Sequence, residues 1–445
     1  MNSAPPGSDL EYEPRWRPGS PVIGRLGHDG GSRSRGRLAR FLPITLVLIL
    51  FFAGAFAVSW QHEGQKPTRT SYSIHGVINI IGDLALTAIA TSESWPGTGS
   101  VGNPYVIRDY DINGAGNASA ISIQDTTKYF VIQNCYVHGA NNAGIYLSNV
   151  THAELTGDVC SANLYGIYLS SSNGSSINDC VCSSNGNSDI LISSSGYTVV
   201  DNTTCSSNQQ AGIYSEYSEN ITISNNIFNG GSSYGIYVYS AANSLIANNV
   251  CTNNYNGIYV TSCSDNIFIG NTCTGGQYGI YMRFSDNNAF SLNNCSSSST
   301  GLYTLSCDGN TYQKCSFWSN SGYGVMLDTG SMSNRFSNNT FALNNGATSE
   351  YDPSYVQAGD VGTNSWNSAG SPHGWGNYWH DWTTPDSNSD GIVDFPYNLS
   401  GSVKDNYPLA SDPVTEIPEF GSVWLLATVF GLLATVFLFS RSKKS

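Results

Sequence analysis

The chain has 445 residues, only 11% of them charged, with 18 Lys and Arg against 32 Asp and Glu. A charged fraction so far below the usual about 25%, with acid in excess, excludes nucleic acid as a partner. A hydrophobic content of 40%, with 27 Tyr and 47 Gly, excludes a disordered chain, and 11 Cys, an odd number, exclude a closed disulfide scaffold as the default.

In chain order, residues 1–40 form a basic segment with seven Arg between Arg15 and Arg40, which belongs on the cytoplasmic side. Residues 41–60 include the uncharged run FLPITLVLILFFAGAFAV, read as a signal peptide or a signal-anchor helix. Ala55-Phe56-Ala57 has the form of a signal peptidase site, so cleavage and retention both stay open. The chain beyond this segment is exported under either reading. Residues 61–418 hold 27 acidic side chains against 8 Lys or Arg, so the exported surface is anionic. Asn-x-Ser/Thr sequons at Asn117, Asn149, Asn173, Asn202, Asn220, Asn294, Asn338 and Asn398 are acceptors for glycans on such a chain.

The middle is organised by a repeat. Gly-Ile-Tyr phrases begin at Gly144, Gly166, Gly212, Gly235, Gly257 and Gly279, with Gly301-Leu-Tyr, Asp189-Ile-Leu and Gly324-Val-Met in the same register. The spacing is 22 or 23 residues, and Ala120-Ile-Ser is a degenerate earlier copy. A second apolar register runs from Ile132 to Phe336, and a third from Val137 through Cys160, Cys182, Cys205, Phe228, Cys251, Cys273 and Cys295 to Phe341. Three short strands per repeat, divided by Asn, Ser, Gly and Asp and lacking a helical period, predict an all-β, right-handed parallel β-helix of about ten coils. Its coils span residues 105–370, with an N-terminal cap at 72–104 and a C-terminal cap at 371–412. Cys alternates with Phe in the third register, which points to small buried hydrophobes rather than to a metal ladder. Asn225 and Asn248 fall at the bends, where Asn tolerates the left-handed conformation and side-chain amides bond coil to coil.

Three features outside the core carry candidate chemistry. Tyr146, Tyr168, Tyr214, Tyr237, Tyr259, Tyr281 and Tyr303 lie one residue from the inward Ile and so face outward as a ladder. Such rings suit sugars, or else brace one coil against the next. Asp386, Asn388, Asp390, Ile392 and Asp394 follow the oxygen spacing of a Ca²⁺ loop, with Gly391 at the turn. Tyr397 replaces the Glu that would complete an EF-hand, so Asp381 or Asp405 would have to close the shell. His373 and His380 are the close His pair of the exported part, weighed as a copper site and as structural capping residues.

At the C-terminus, Pro418-Glu419-Phe420 precedes an apolar span from Gly421 to Phe439 and a tail with Arg441, Lys443 and Lys444. Residues 418–445 resemble a PEF-type sorting signal with a transmembrane helix, which implies an archaeosortase and a membrane anchor as partners. The repeat array, the segment Gly97-Thr-Gly-Ser-Val-Gly-Asn-Pro-Tyr-Val-Ile-Arg and the segment from Gly376-Asn-Tyr-Trp-His-Asp-Trp to Asp405-Asn-Tyr-Pro-Leu resemble the NosD-type β-helix proteins and their archaeal surface relatives. That resemblance implies an accessory role in copper-site maturation, and the wider fold group implies carbohydrate binding or cleavage. Copper is poorly served by four Met and a single close His pair. Lys128, Arg283, Lys314 and Arg335, the cations between residues 121 and 350, form no basic stripe of the kind a polyuronate lyase uses. The leading expectation is therefore a membrane-anchored cell-surface module that meets glycans or other envelope components through its Tyr ladder, stabilised by Ca²⁺. A copper-maturation accessory is second, and a polysaccharide lyase or glycoside hydrolase third.

Overall fold

Three strands of three to eight residues in every repeat are too short to form one large globular sheet, so the chain buries their apolar sides by winding and stacking. The structure is a computed structural model that describes residues 72–230, 233–368, 375–400 and 403–413. Its strands form three parallel sheets of 13, 12 and 11 strands, and each coil adds one strand to each sheet in turn. This is the expected parallel β-helix, right-handed as parallel crossovers are. The sequence segments expected as terminal helices, 41–60 and 418–445, lie outside the described residues. Among the described residues no helix is long and apolar enough to cross a membrane.

The three sheets take their character from the three registers. The Tyr sheet runs through Ala143–Val150, Tyr165–Ser170, Ile190–Ser193, Ala211–Glu216, Tyr234–Tyr239, Asn256–Thr261, Tyr278–Arg283 and Thr300–Leu305. A Phe sheet carries the second register, with rings of Phe268, Phe290, Tyr312 and Phe336 stacked at 4.5, 4.9 and 4.3 Å between centroids. A Cys sheet carries the third, in which Cys160 pairs with Cys182, Cys182 with Cys205, Cys251 with Cys273 and Cys273 with Cys295. All eleven thiols are free and buried, and burial pushes those of Cys160, Cys180 and Cys205 well above their ordinary range. These three fill the core as protonated hydrophobes.

The helix begins earlier than the array. Ser73–His75, Ile78–Ile81 and Tyr105–Arg108 supply one strand to each sheet, and α1 (Asp83–Ser92) is inserted before the third of them. Leu86 and Ala90 are the buried side of α1. Asp83 ties it to the next coil by accepting from Thr126 Oγ1 at 2.6 Å, Thr127 N at 2.8 Å and Thr127 Oγ1 at 2.9 Å, bonds that hold its carboxyl below the usual range. At the other end Tyr378–Trp379 adds the last strand of the Cys sheet.

The corners are sealed by side-chain amides. Asn225 and Asn248 sit at the bend with φ of 56° and 54°, as expected, and Asn225 Nδ2 donates to Asp201 Oδ1 of the preceding coil at 2.7 Å, but the continuous ladder runs through the next residue in each case. Asn226 donates from both N and Nδ2 to Oδ1 of Asn249, Asn249 does the same to Asn271, and Asn271 to Asn293. A second column runs Asn266, Asn288, Asn310, Asn334, Asn364, and a third Asn320, Asn344, Gln357. Every link in these columns donates toward the C-terminal side.

Each column ends on a buried carboxylate, which accepts and donates nothing. The first column crosses Cys315, whose Sγ accepts from Asn293 Nδ2 at 3.9 Å and whose N donates to Asn339 Oδ1 at 2.9 Å, and Asn339 passes it to Asn377, whose N and Nδ2 meet Asp405 Oδ2 at 2.7 and 3.2 Å, beside Trp379 Nε1 at 3.0 Å. Asn364 Nδ2 and Trp366 Nε1 donate to Asp360, and Gln357 Nε2 and the Tyr397 hydroxyl to Asp381. Either Asp381 or Asp405 was expected to close the Ca²⁺ shell, whereas both are used here as ladder ends.

The repeat glycine is required by close approach: a Cβ on Gly257 would stand 2.6 Å from the Gly279 carbonyl oxygen and 2.8 Å from the Cys273 Cβ. Asp189 occupies that position in one coil, buried, with its carboxylate accepting from Asn185 Nδ2 at 2.7 Å and Asn208 Nδ2 at 3.1 Å. Burial outweighs those bonds and raises its pKa to about 7, and burial likewise raises Asp405 to about 6.

These corners set two expected outcomes. Asn271→Leu removes the acceptor of Asn249 N and Nδ2 and the donor to the Ile246 carbonyl and should cost about 3 kcal/mol or more, whereas Asn248→Ala, which only strains a left-handed bend, should cost about 1 to 2 kcal/mol. Equal urea midpoints for the two variants would contradict the ladder. The folded pKa values of Asp189 and Asp405 lie above the unfolded value, so both groups favour the fold at low pH, and that contribution fades as pH rises from 3.8 to about 7. For Asp405 alone, a rise from 3.8 to about 6 corresponds to about 3 kcal/mol. Asp189→Gly, which restores the repeat residue, should flatten the fall in unfolding free energy measured between about pH 4 and about pH 8.

Candidate functional site

Strand alternation sends every second side chain of the Tyr sheet outward. In Tyr234–Tyr239 the buried residues are Gly235, Ile236 and Val238, while Tyr234, Tyr237 and Tyr239 are half-exposed. Parallel pairing without slippage then turns each outward position into a column. The central one is Tyr146, Tyr168, Leu191, Tyr214, Tyr237, Tyr259, Tyr281 and Tyr303. Beside it run Tyr234, Asn256, Tyr278 and Thr300 on one flank and Ser193, Glu216, Tyr239, Thr261 and Arg283 on the other.

All seven expected tyrosines are brought to one face, but not as free platforms. Coils about 4.8 Å apart put successive rings inside stacking distance, so the rings spend their faces on one another. Centroids are 4.6 Å apart for Tyr214 and Tyr237, 4.8 Å for Tyr237 and Tyr259, 5.1 Å for Tyr259 and Tyr281, and 5.3 Å for Tyr281 and Tyr303. Tyr234 adds a ring over Tyr259 at 5.1 Å and 14° between planes, leaving Tyr259 only 9% exposed. Leu191 separates the Tyr146 and Tyr168 pair from the rest.

What the face offers is ring edges and hydroxyls. Partial burial raises the phenols of Tyr168, Tyr237 and Tyr303 and pushes that of Tyr281 up to about 12, so they stay protonated donors. Two ionic groups mark the face. Glu216 accepts from Ser193 Oγ at 2.9 Å, and the Arg283 guanidinium lies over the Phe284 ring at 5.2 Å. Sequence reasoning gave the central column and missed the flanking tyrosines: Tyr239 lies two residues after Tyr237, but Tyr234 and Tyr278 lie three residues before Tyr237 and Tyr281, where two successive buried residues break the alternation.

The expected Ca²⁺ loop folds as a chain of Asx turns. Asp386 accepts from the Asp390 and Gly391 backbone at 3.2 and 3.1 Å, Asn388 Oδ1 from Asp390 N at 3.1 Å, and Asp390 from Ile392 N at 2.9 Å. Asp394 accepts from the hydroxyl of Ser387 at 2.6 Å. His380 lies beside Asp381 with Nδ1 buried and unbonded, and His373 lies outside the described residues. Among the described residues no three His, Cys, Asp or Glu side chains stand together as a metal shell.

The sequons divide by exposure. Asn117, Asn149, Asn173, Asn202 and Asn398 are exposed, whereas Asn220 and Asn338 are half-buried at left-handed bends. Asn294 is held inside a strand between Thr272 and Ser316, with Oδ1 buried.

With this geometry in place, two family models match the chain. One, described as periplasmic copper-binding protein (NosD), matches residues 206–384, and the other, right handed beta helix region, matches residues 119–273. Together they support a β-helix repeat protein of NosD type. No curated protein matches the sequence. Among solved structures, the chain is similar to the A-module of the mannuronan C-5 epimerase AlgE4 of Azotobacter vinelandii, at 13% identity and a TM-score of 0.38 over 60% of this chain and 83% of that one. An alginate lyase from a Paenibacillus species gives 13% identity and a TM-score of 0.36 over 65% and 97%. The Dettilon tailspike protein gives 14% identity and a TM-score of 0.42 over 66% and 61%. At these TM-scores none of the three bears on what this chain binds.

Proposed function

We propose that the protein is an exported, membrane-anchored surface module whose tyrosine face binds neutral, hydroxyl-rich glycans. The observation that supports this reading is the continuous outward column from Tyr214 to Tyr303, flanked by the half-exposed Tyr234, Tyr278 and Thr300 on one side and Tyr239 on the other. Sugar hydroxyls can exchange hydrogen bonds with such a row, and sugar C–H edges can lie along the ring edges. A polyanion is disfavoured by the excess of acid over the exported residues. In this reading residues 41–60 and 418–445 hold the module at the membrane, the latter through an archaeosortase.

The C-terminal loop is proposed to take Ca²⁺ in a structural role, the ion drawing the oxygens of Asp386, Asn388, Asp390 and Asp394 and the Ile392 carbonyl away from their Asx turns. The copper role that the NosD description would imply does not fit the described residues. His380 has as its neighbour Asp381, a carboxylate already bonded by Gln357 and Tyr397, and no soft donor stands with it. No copper step is derived.

Binding of soluble mannan and of alginate to the exported chain separates the outcomes. Mannan should be retained and alginate not. Tyr237→Ala and Tyr281→Ala should each weaken retention about fivefold to tenfold, equivalent to about 1 kcal/mol. Unchanged mannan affinity in the double variant would remove the tyrosine face from the function. For the loop, millimolar Ca²⁺ should raise the thermal midpoint of the parent chain and leave that of Asp390→Ala where it stands, whereas equal shifts in both would place the ion elsewhere.

A further inference from the structure

The tyrosine column is more regular at one place than binding requires. Tyr214 and Tyr237 lie on adjacent strands in direct register, with ring centroids 4.6 Å apart and planes only 8° from parallel. The other neighbouring pairs of the central column are tilted by 32° to 58°. Tyr214 also has a proton acceptor within reach, because Glu216 stands two residues along the same strand on the same outward side. Glu216 is in turn fixed by the 2.9 Å bond from Ser193 Oγ. Leu191 precedes Tyr214 in the column, so this pair forms the N-terminal end of a stack that continues through Tyr259 and Tyr281 to Tyr303.

A phenol gives up an electron readily only when its proton can leave at the same time, and a carboxylate held against the hydroxyl provides that path. Two oxidised rings on neighbouring coils are already positioned for reaction, which removes the encounter cost that two free tyrosines would face.

We propose that Tyr214 and Tyr237 form an oxidative cross-linking site, at which a one-electron oxidant acting twice joins adjacent coils through a dityrosine bond. Tyr214 loses an electron and passes its phenolic proton to Glu216, and Tyr237 loses an electron and a proton to solvent. The two phenoxyl radicals couple between ring carbons ortho to the oxygens. The hydrogens on those carbons then return to the oxygens as the rings regain aromaticity. The net change is two phenols to one biaryl with release of two electrons and two protons, which hydrogen peroxide, acting through a peroxidase-type catalyst, takes up as two molecules of water. The product is a covalent strut along the outer face, on a chain whose eleven thiols are buried and free.

The full chain should be photo-oxidised with ruthenium tris-bipyridyl and persulfate and its peptides mapped by mass. The expected product is a peptide pair joining Tyr214 to Tyr237, lighter by two hydrogens than the separate peptides, formed in excess over every other pair. Tyr214→Phe, which keeps the ring and removes the hydroxyl, should abolish it. Glu216→Gln should lower its yield to that of the Tyr237 and Tyr259 pair. Circular dichroism of both variants should match the parent. Cross-links that instead follow exposure, joining Tyr197, Tyr217 or Tyr255 between molecules, would overturn the proposal, as would a Tyr214 to Tyr237 product whose yield does not depend on Glu216.

Discussion

The whole structure depends on one interaction, the hydrogen bond from the backbone and side-chain amide of one corner residue to the side-chain oxygen of its counterpart in the next coil. Strand pairing alone satisfies the backbone along the flats, but the bends turn peptide groups inward where no strand can reach them. A buried donor left there costs about 1 to 3 kcal/mol, and a solenoid has three bends in every coil. Asn meets this demand because its amide accepts and donates at once, closing the corner and passing the same demand to the next coil, and at one corner of the earlier coils the hydroxyls of Ser195, Ser218 and Ser244 accept in its place. The ladder therefore cannot simply stop. Asp360, Asp381 and Asp405 end it because a carboxylate accepts without donating. Their burial is tolerated because several N–H or O–H groups point at each of them.

The same spacing that makes the corners work determines the character of the outer face. Tyrosines one coil apart are forced into contact, and contact converts a set of separate aromatic patches into a continuous ridge. A ridge of edges and hydroxyls is suited to an extended polar partner lying along the coil axis and ill suited to a planar ligand that needs an open ring. Glu216 and Arg283 stand three coils apart on one flank of that ridge, so it has a direction as well as a length.

Much of this was legible in the sequence, because a period of 22 or 23 residues with three apolar registers leaves few ways to bury them. The inward Ile and Cys columns and the outward Tyr column are consequences of alternation alone. The features that stayed hidden did so for identifiable reasons. Alternation breaks at a bend, so Asn225 and Asn226 look equivalent in the sequence although one points out and the other carries the ladder. Exposure of Tyr259 depends on Tyr234 from the preceding coil, a contact between different positions of the repeat. Asp189 reads as a worn copy of glycine, and only its bonds to Asn185 and Asn208 show that a carboxylate replaced hydrogen at a place of close approach. Nothing in the sequence reveals that Asp381 and Asp405, either of which was expected to complete a cation shell, finish hydrogen-bonded columns.

Since the ladder-ending carboxylates and the inserted helix are confined to the two ends, the coils between them are interchangeable in kind. A coil duplicated or deleted between Asn249 and Asn293, where Asn holds the corner in successive coils, would meet neighbours with the same chemistry at that corner and would leave both terminal caps untouched. The reach of the outer ridge is thus a quantised property, adjustable in increments of about 4.8 Å per coil without redesign of the ends. Gene-level slippage by one repeat would lengthen or shorten the protein as a measuring rod, and the terminal carboxylates would cap the new length as well as the old.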